Sequence, residues 1–358
     1  MQKIQITKVF LLIQLLTIFS SCKKDVEITP LNLISLPEES EVFKIEEDGF
    51  FNDVFILDSF LIMTTVKNDH KIHVYNKNNL QLITKFGTDG MAPFELPQVL
   101  PVNNASFTQK ADNILFYDIK VWQFKTINLN KFLLEGNVAT CIFSSPMDKN
   151  LFYSFYLNIL NENRFVAMSD PNAKKGMFYI YDTLKKEQIF IKHVPPKKVE
   201  DRYKYLLYYG HINANPYKNA IIFSSSHFDQ VLFYNLEGKL QRQHIFSTLK
   251  MPELSKQFSG PVNESIRYTV RTYATSEYCF VFRLCQSTFK DWTSIITKPT
   301  QLLVFNWDGN LVQSFNLPMN RYDICYDEEF GYLYLIEDSD DEKSPHYIVK
   351  KLKICDYL

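Results

Sequence analysis

From Glu41 onward, apolar runs of five to eight residues alternate with clusters of Asn, Asp, Gly and Lys, and few windows carry an apolar face at helical spacing. The pattern predicts a mostly β chain. One element recurs: "KIHVYNKNNL", "MFYIYDTLKK", "QVLFYNLEGKL" and "QLLVFNWDGNL" each end an apolar strand in an aromatic, follow it with Asn or Asp, and enter a turn. The aromatics are Tyr75, Tyr181, Tyr234 and Phe305, at intervals of 106, 53 and 71. Because the first interval is twice the second, a degenerate copy belongs near "VWQFKTINLNKF", Val121 to Phe132. A last copy fits "YIVKKLKI", Tyr347 to Ile354.

Six copies at about 50 residues follow, with an insertion between Tyr234 and Phe305. That period, with four strands per copy, predicts an all-β fold: a six-bladed β-propeller of four-stranded blades over residues 41–358. No blade would be stable without its neighbours. The first blade reads as "DVFILD", "FLIMTTV", "HKIHVYN" and "LQLITKF". The strand "EVFKIEE", Glu41 to Glu47, is then left over, and it is expected to complete the last blade and close the ring, removing free edges. A pair of β-sandwich domains is the competing arrangement, and it would lack the period. "VEDRYKYLLYYG" places Tyr203, Leu206, Leu207 and Gly210 at three-and-four spacing, which predicts a loop helix crossing one face of the disc.

The stretch "KFGTDGMAPFELPQV", Lys85 to Val99, follows the fourth strand of blade one, where the chain must return from the rim to the axis. Glycine permits positive φ there, and proline stiffens the extended exit. The segment resembles the "GxxGxGPxEFxxP" element of six-bladed propeller lipoproteins of Bacteroidota, loosely related to NHL and TolB-like propellers. Gly87, Gly90, Pro93, Phe94, Glu95 and Pro97 carry the resemblance, with Met91 and Ala92 in place of the usual small-residue run. "QVLFYNLEGKL" and "LLVFNWDGNLVQSFNLP" are similar to that family's hairpins, so the likeness spans roughly Glu41 to Leu352. It implies a fold and an envelope location and supplies no agreed reaction.

The leader agrees with that location. "MQKIQITKVFLLIQLLTIFSSC" sets Lys3 and Lys8 before an apolar core from Val9 to Phe19, then small residues and a cysteine, so residues 1–21 read as a secretion signal. Some eleven apolar residues are too few for the roughly 20 that span a bilayer. Phe19-Ser20-Ser21-Cys22 resembles a bacterial lipobox, which implies lipidation of Cys22 and residues 22–40 as a linker. "KKDVE" resembles the short charged signal that sends some Bacteroidota lipoproteins to the cell surface, so the expected place is the outer membrane, on its periplasmic or outer face.

Composition narrows the chemistry. The 30 Phe and 21 Tyr against 10 Gly favour aromatic-packed strands over disorder. Loss of residues 1–21 removes two lysines and no acids, leaving 37 basic against 40 acidic groups, or −3, which is too neutral for a nucleic-acid binder. Five cysteines would remain after lipidation: Cys141, Cys279, Cys285, Cys325 and Cys355. An odd number cannot all pair, no CxxC spacing suggests zinc, and buried free thiols are the expected state.

No nucleophile elbow, HExxH, P-loop or Rossmann fingerprint occurs, and no metal site or cofactor is expected. The seven histidines show no metal spacing; His70 and His73 are expected on the solvent side, and His227 in a hairpin turn of blade four, packed there or reaching an axial ligand. Asp118 and Trp122 should flank a short turn of blade two. The acidic run Glu337 to Lys343 lacks the glycine and late glutamate of an EF-hand loop and reads as a hairpin tip. The segment "NESIRYTVRTYATSEYCFVFRL" sets Arg267, Tyr268, Arg271 and Tyr273 before a strongly apolar strand. It is either a surface edge strand or a loop that binds an anionic or sugar-like ligand by forked hydrogen bonds and ring stacking. Arg202 and Tyr203 form a second group in the loop helix.

Two functions fit. One is a lipid-anchored binding module for an envelope protein or an extracellular glycan, held at the membrane by its N-terminal lipid alone. The other is a hydrolase or lyase with an axial pocket assembled from several blades, which no local motif would reveal.

Overall fold

The computed structural model describes residues 28–45, 51–65, 69–90, 92, 94–96, 99–102, 113–169, 172–196, 200–247, 249, 266–288, 300–317, 322–338 and 347–358. The secretion signal and Cys22 lie outside them. The described strands form six sheets, one per blade. Blade one is β3 (Phe51–Leu57), β4 (Phe60–Thr65), β5 (Ile72–Asn76) and β6 (Leu82–Phe86). Blade two is β7 (Val99–Pro101), β8 (Asn113–Asp118), β9 (Gln123–Asn128) and β10 (Ile142–Pro146). Blade three is β11 (Ser154–Asn161), β12 (Arg164–Ser169), β13 (Phe178–Asp182) and β14 (Glu187–Ile191). Blade four is β15 (Gly210–Asn215), β16 (Ala220–Ser225), β17 (Gln230–Tyr234) and β18 (Leu240–Ile245).

Blade five, β19 (Ile266–Ala274), β20 (Tyr278–Thr288), β21 (Thr300–Asn306) and β22 (Leu311–Leu317), gains a fifth, parallel strand, β1 (Leu33–Ser35), on β22. Blade six is β23 (Tyr322–Asp327), β24 (Tyr332–Asp338) and β25 (Tyr347–Lys353), completed by β2 (Glu41–Ile45), which pairs antiparallel with β25. The leftover N-terminal strand therefore closes the ring as expected. Part of the stretch read as a linker is itself the strand β1.

The core is divided among the blade interfaces. One apolar cluster lies between each pair of consecutive blades: Phe55, Ile62 and Val74 meet Ile114 and Phe116 between blades one and two, and Val166, Phe178 and Ile180 meet Ile212, Phe223 and Leu232 between three and four. Side chains alternate across a strand, so Ile221 and Phe223 of β16 face blade three while Ile222 between them faces blade five. With both faces covered, the strand reads as a continuous apolar run rather than an alternating one. The recurring aromatic has the same cause. Tyr75, Tyr181, Tyr234 and Phe305 all end third strands and all pack on the blade before their own.

The helix Asp201–Leu207 forms between blades three and four. Two further helices differ from the expectation. The copy placed at Val121 to Phe132 begins as β9 but ends in Leu129–Glu135, because Asn128 caps that helix by accepting from Lys131 N–H and Gly136, at φ +65°, stops it. Val138–Cys141 follows before the chain enters β10. Among the described residues no helix is long and apolar enough to cross a membrane.

The rim-to-axis segment is a folded turn. Gly87 sits at φ +84°, Lys71 N–H donates to its carbonyl at 2.8 Å, and Leu96, fully buried, donates its N–H to Thr88 O at 2.9 Å. Glu95 lays its carboxylate over Gly90 and accepts from Ala92 N–H at 2.7 Å.

Candidate functional site

The six innermost strands run in one direction, so the ring has an entry face, where they begin, and an exit face, where they turn into second strands. Arg271 lies on β19, the innermost strand of blade five. The surface loop expected around Arg267 to Tyr273 is therefore an axial strand, paired along its length with β20 and irregular between Arg267 and Arg271.

Arg271 bridges three blades. Its Nη2 donates to Asp53 of β3 and its Nε contacts Asp323 of β23, each at 2.5 Å. The side chains keep 26% exposure on Arg271, 24% on Asp53 and 14% on Asp323, so the group lines a channel that water reaches. Burial raises the Asp53 pKa, and Arg271 offsets it in part. Burial also opposes the charge of Arg271, but Asp323 and Asp53 outweigh it and hold that pKa above its usual value.

Across the channel, Tyr156 of β11 occupies positive φ, +52°, where the strand loses register between Phe155 and Asn158. The irregularity re-aims the ring. The Tyr156 and Tyr209 hydroxyls lie 2.9 Å apart, and the Tyr156 ring centre is 4.8 Å from that of His211 at the start of β15. Burial, then Tyr209, pushes the Tyr156 hydroxyl well above its ordinary pKa.

Two residues further along β19, Tyr273 is half-buried, packing on the apolar clusters of neighbouring blades, its pKa driven up chiefly by burial and then by Cys325. It forms a wall of a pocket of about 200 Å³ at the exit face, where the turns of blades five, six and one converge. Ile56, Asp58 and Lys77 line it from blade one, Thr275 and Ser276 from blade five, and Tyr326 to Glu329 from blade six. Glu328 is fixed by the blade-five turn: the Ser276 and Glu277 N–H groups donate to it at 3.1 and 2.8 Å, and the Thr275 and Ser276 hydroxyls also donate. Lys77, 3% exposed, lies 3.0 Å from both Asp327 and Glu329, with its ammonium over the Phe330 ring.

The other expected site residues scatter. Tyr268 turns towards Ser247, Asp229 and Arg283, and its N–H donates to Ser226 O at 2.8 Å. There Arg283 and Asp229 form a paired contact with both separations 2.7 Å. The Arg267 side chain, and those of Arg202 and Tyr203 on the loop helix, lie outside the described residues. His227 sits in the turn between β16 and β17, as expected, and off the innermost strands. His73 is not on the solvent side: it is 1% exposed, edge-on to Phe51 and stacked with Tyr75. Cys141, Cys279 and Cys325 are buried free thiols, whereas Cys355 is exposed in a terminal 3₁₀ turn; Cys285 lies outside the described side chains. Trp122 packs flat on Phe152, ring centres 4.8 Å apart. Among the described residues, no three His, Cys, Asp or Glu side chains gather to hold a metal ion.

Asp53, Asp323, Tyr156, Tyr209 and Lys77 have no local signature in the sequence. Each belongs to a different turn or strand, and only ring closure brings Asp53 and Asp323 onto Arg271 and Lys77 beside the blade-six turn.

No family model and no curated protein matches the sequence. Solved structures do. A member of the duf4221 family from Bacteroides vulgatus superposes with a TM-score of 0.58 at 14% identity, over 89% of this chain and 97% of that one. A Bacteroides fragilis protein predicted to be exported superposes with a TM-score of 0.54 at 12% identity, over 91% and 99%. At these identities the likeness is one of fold, so this chain shares its six-bladed propeller architecture, over about nine-tenths of its length, with proteins of Bacteroides.

Proposed function

We propose that this protein is an envelope binding module that takes its partner at the exit face of the axial channel. The observation that carries the reading is the pocket of about 200 Å³ formed jointly by turns of blades five, six and one around Tyr273. A concave, part-aromatic site assembled from several elements is the usual form of a recognition site. Its walls are preorganised, since Glu328 and Lys77 are tied into neighbouring blades, so little ordering cost attaches to binding.

Export and anchoring follow from the leader, with Cys22 as the lipidated residue and the chain N-terminus. The fold likeness to a Bacteroides protein predicted to be exported supports an envelope location. The partner is a protein of the envelope, with an extracellular glycan as the alternative occupant.

Ser276 is exposed at the pocket rim, so Ser276→Trp fills the space without entering the core. Capture from gently solubilised envelopes should recover a partner with the native protein and lose it with Ser276→Trp at unchanged melting temperature. Equal recovery by both proteins would move the working surface elsewhere. Recovery by neither, with turnover of an ester or glycan substrate, would make the axial site catalytic instead.

A further inference from the structure

The charge around the exit-face pocket selects among ligands. Four carboxylates line it, Asp58, Asp327, Glu328 and Glu329, against the single ammonium of Lys77, a formal balance of −3. Deeper along the axis Arg271 is shared by Asp53 and Asp323, a balance of −1. An anion entering the channel would meet negative charge at both levels, and Arg271 could receive it only by giving up one of its carboxylates. Concave sites lined by one sign of charge focus the field and concentrate the opposite ion.

Within the wall the carboxylates differ. Asp327 is 3% exposed, and its Oδ2 is paired with Lys77 Nζ at 3.0 Å, so it is held by the protein's own cation. Asp58, Glu328 and Glu329 are exposed and form the acidic rim that a ligand meets. The Tyr273 and Tyr326 rings form the rest of the wall, and aromatic faces attract cations. The protein already uses this chemistry once: Lys77 places its own ammonium among Asp327, Glu329 and the Phe330 ring, 4.7 Å from the ring centre. The acids are not gathered closely enough to chelate, since among the described residues no metal-holding group forms. A compact divalent ion is therefore a poor fit, and an extended organic cation is a good one.

We infer that the exit-face pocket receives an ammonium or guanidinium group. This rests on the proposed role of the pocket as a binding site and names the chemistry it reads. The group belongs either to a lysine or arginine side chain of a partner polypeptide or to a free amine.

The test is calorimetric titration of the whole mature protein at low salt with N-acetyl-arginine amide and N-acetyl-lysine amide, with agmatine as the free amine and N-acetyl-glutamine amide as the uncharged control. The expected result is binding of the cations, at least tenfold weaker or absent for the glutamine amide, and weakening as salt is raised. Asp58→Asn with Glu329→Gln reduces the balance to −1 while keeping shape, and Asn suits the positive φ of position 58. That double variant should keep its melting temperature and lose at least tenfold in affinity for the cations. Tighter binding of the blocked amino acids than of agmatine assigns the group to a polypeptide; the reverse assigns it to a free amine. Absence of cation binding, equal binding of the glutamine amide, or unchanged affinity in the double variant would overturn the inference. If a partner is still captured and lost with Ser276→Trp, the binding role stands without it.

Discussion

Arg271 and Asp53 meet across the ring axis, 218 residues apart in sequence and 2.5 Å apart in space, from the innermost strands of blades five and one. Asp323 of blade six holds the other side of the same guanidinium. The contact ties the blades on either side of blade six, which β2 closes. Breaking a buried pair by removing one partner costs roughly 3–5 kcal/mol, and water access to this group reduces that to about 2 kcal/mol for Arg271→Gln. Asp53→Asn should cost less, because burial already opposes its charge. Denaturant unfolding of the two variants checks the order; an equal or larger loss for Asp53→Asn would refute it.

The turn that returns the chain to the axis depends on a missing side chain. A Cβ at position 90 would lie 1.9 Å from Glu95 Oε2, so Gly90→Ala must push the carboxylate off the Ala92 N–H. A loss of about 1–3 kcal/mol is expected, as for other overpacked sites. In a Glu95→Ala background the same substitution should cost measurably less. Additive losses would show that the two residues do not share this contact.

The two N-terminal strands should differ in consequence. β1 adds to a sheet that already has four strands, with Leu31 packed between blades four and five and Ser314 Oγ donating to Asn32 O at 2.8 Å. β2 is the fourth strand of blade six. Removing residues up to 40 should lower the melting temperature but leave one cooperative transition. Removing residues up to 45 should abolish cooperative folding, read by near-ultraviolet dichroism.

Acid should loosen the β1 side. His244 Nε2 lies 2.7 Å from Gly309 O and so carries the proton, which leaves Nδ1 to accept from the Thr29 hydroxyl at 3.2 Å. Burial lowers the His244 pKa below 6.5, opposed by Gly309 and reinforced by Arg242. The folded state therefore binds fewer protons than the unfolded one, and this contribution is full above pH 6.5 and lost as pH falls towards the lowered value. His193 is lowered by burial in the same sense, whereas Asp53 and Asp118 are raised by burial and act oppositely. The stability difference between the native protein and His244→Gln should shrink as pH falls from 7 to 5. A difference that stays constant would show that His244 does not titrate with folding.

Much of the fold was legible because its cause is local and repeated. In blades one, three, four and five the third strand lays an aromatic on the preceding blade and then turns, and that demand writes the same short phrase at Tyr75, Tyr181, Tyr234 and Phe305. The helix at Leu129–Glu135 was missed because its cap, Asn128, also suits the strand-ending position of the repeat. His73 was misplaced because a polar residue within a strand reads as facing solvent, and no short window says that a blade has both faces covered.

Sequence alone determined the number of blades, the strand that closes the ring and the helix before blade four, since period, parity and spacing act over a few residues. Tertiary structure alone decided that Arg271 and Tyr273 face the axis, that Asp53 and Asp323 share the arginine, and that turns of three blades enclose one acidic pocket. Those partners come from opposite ends of the chain. Their meeting is a consequence of ring closure, a global constraint with no trace in any short window.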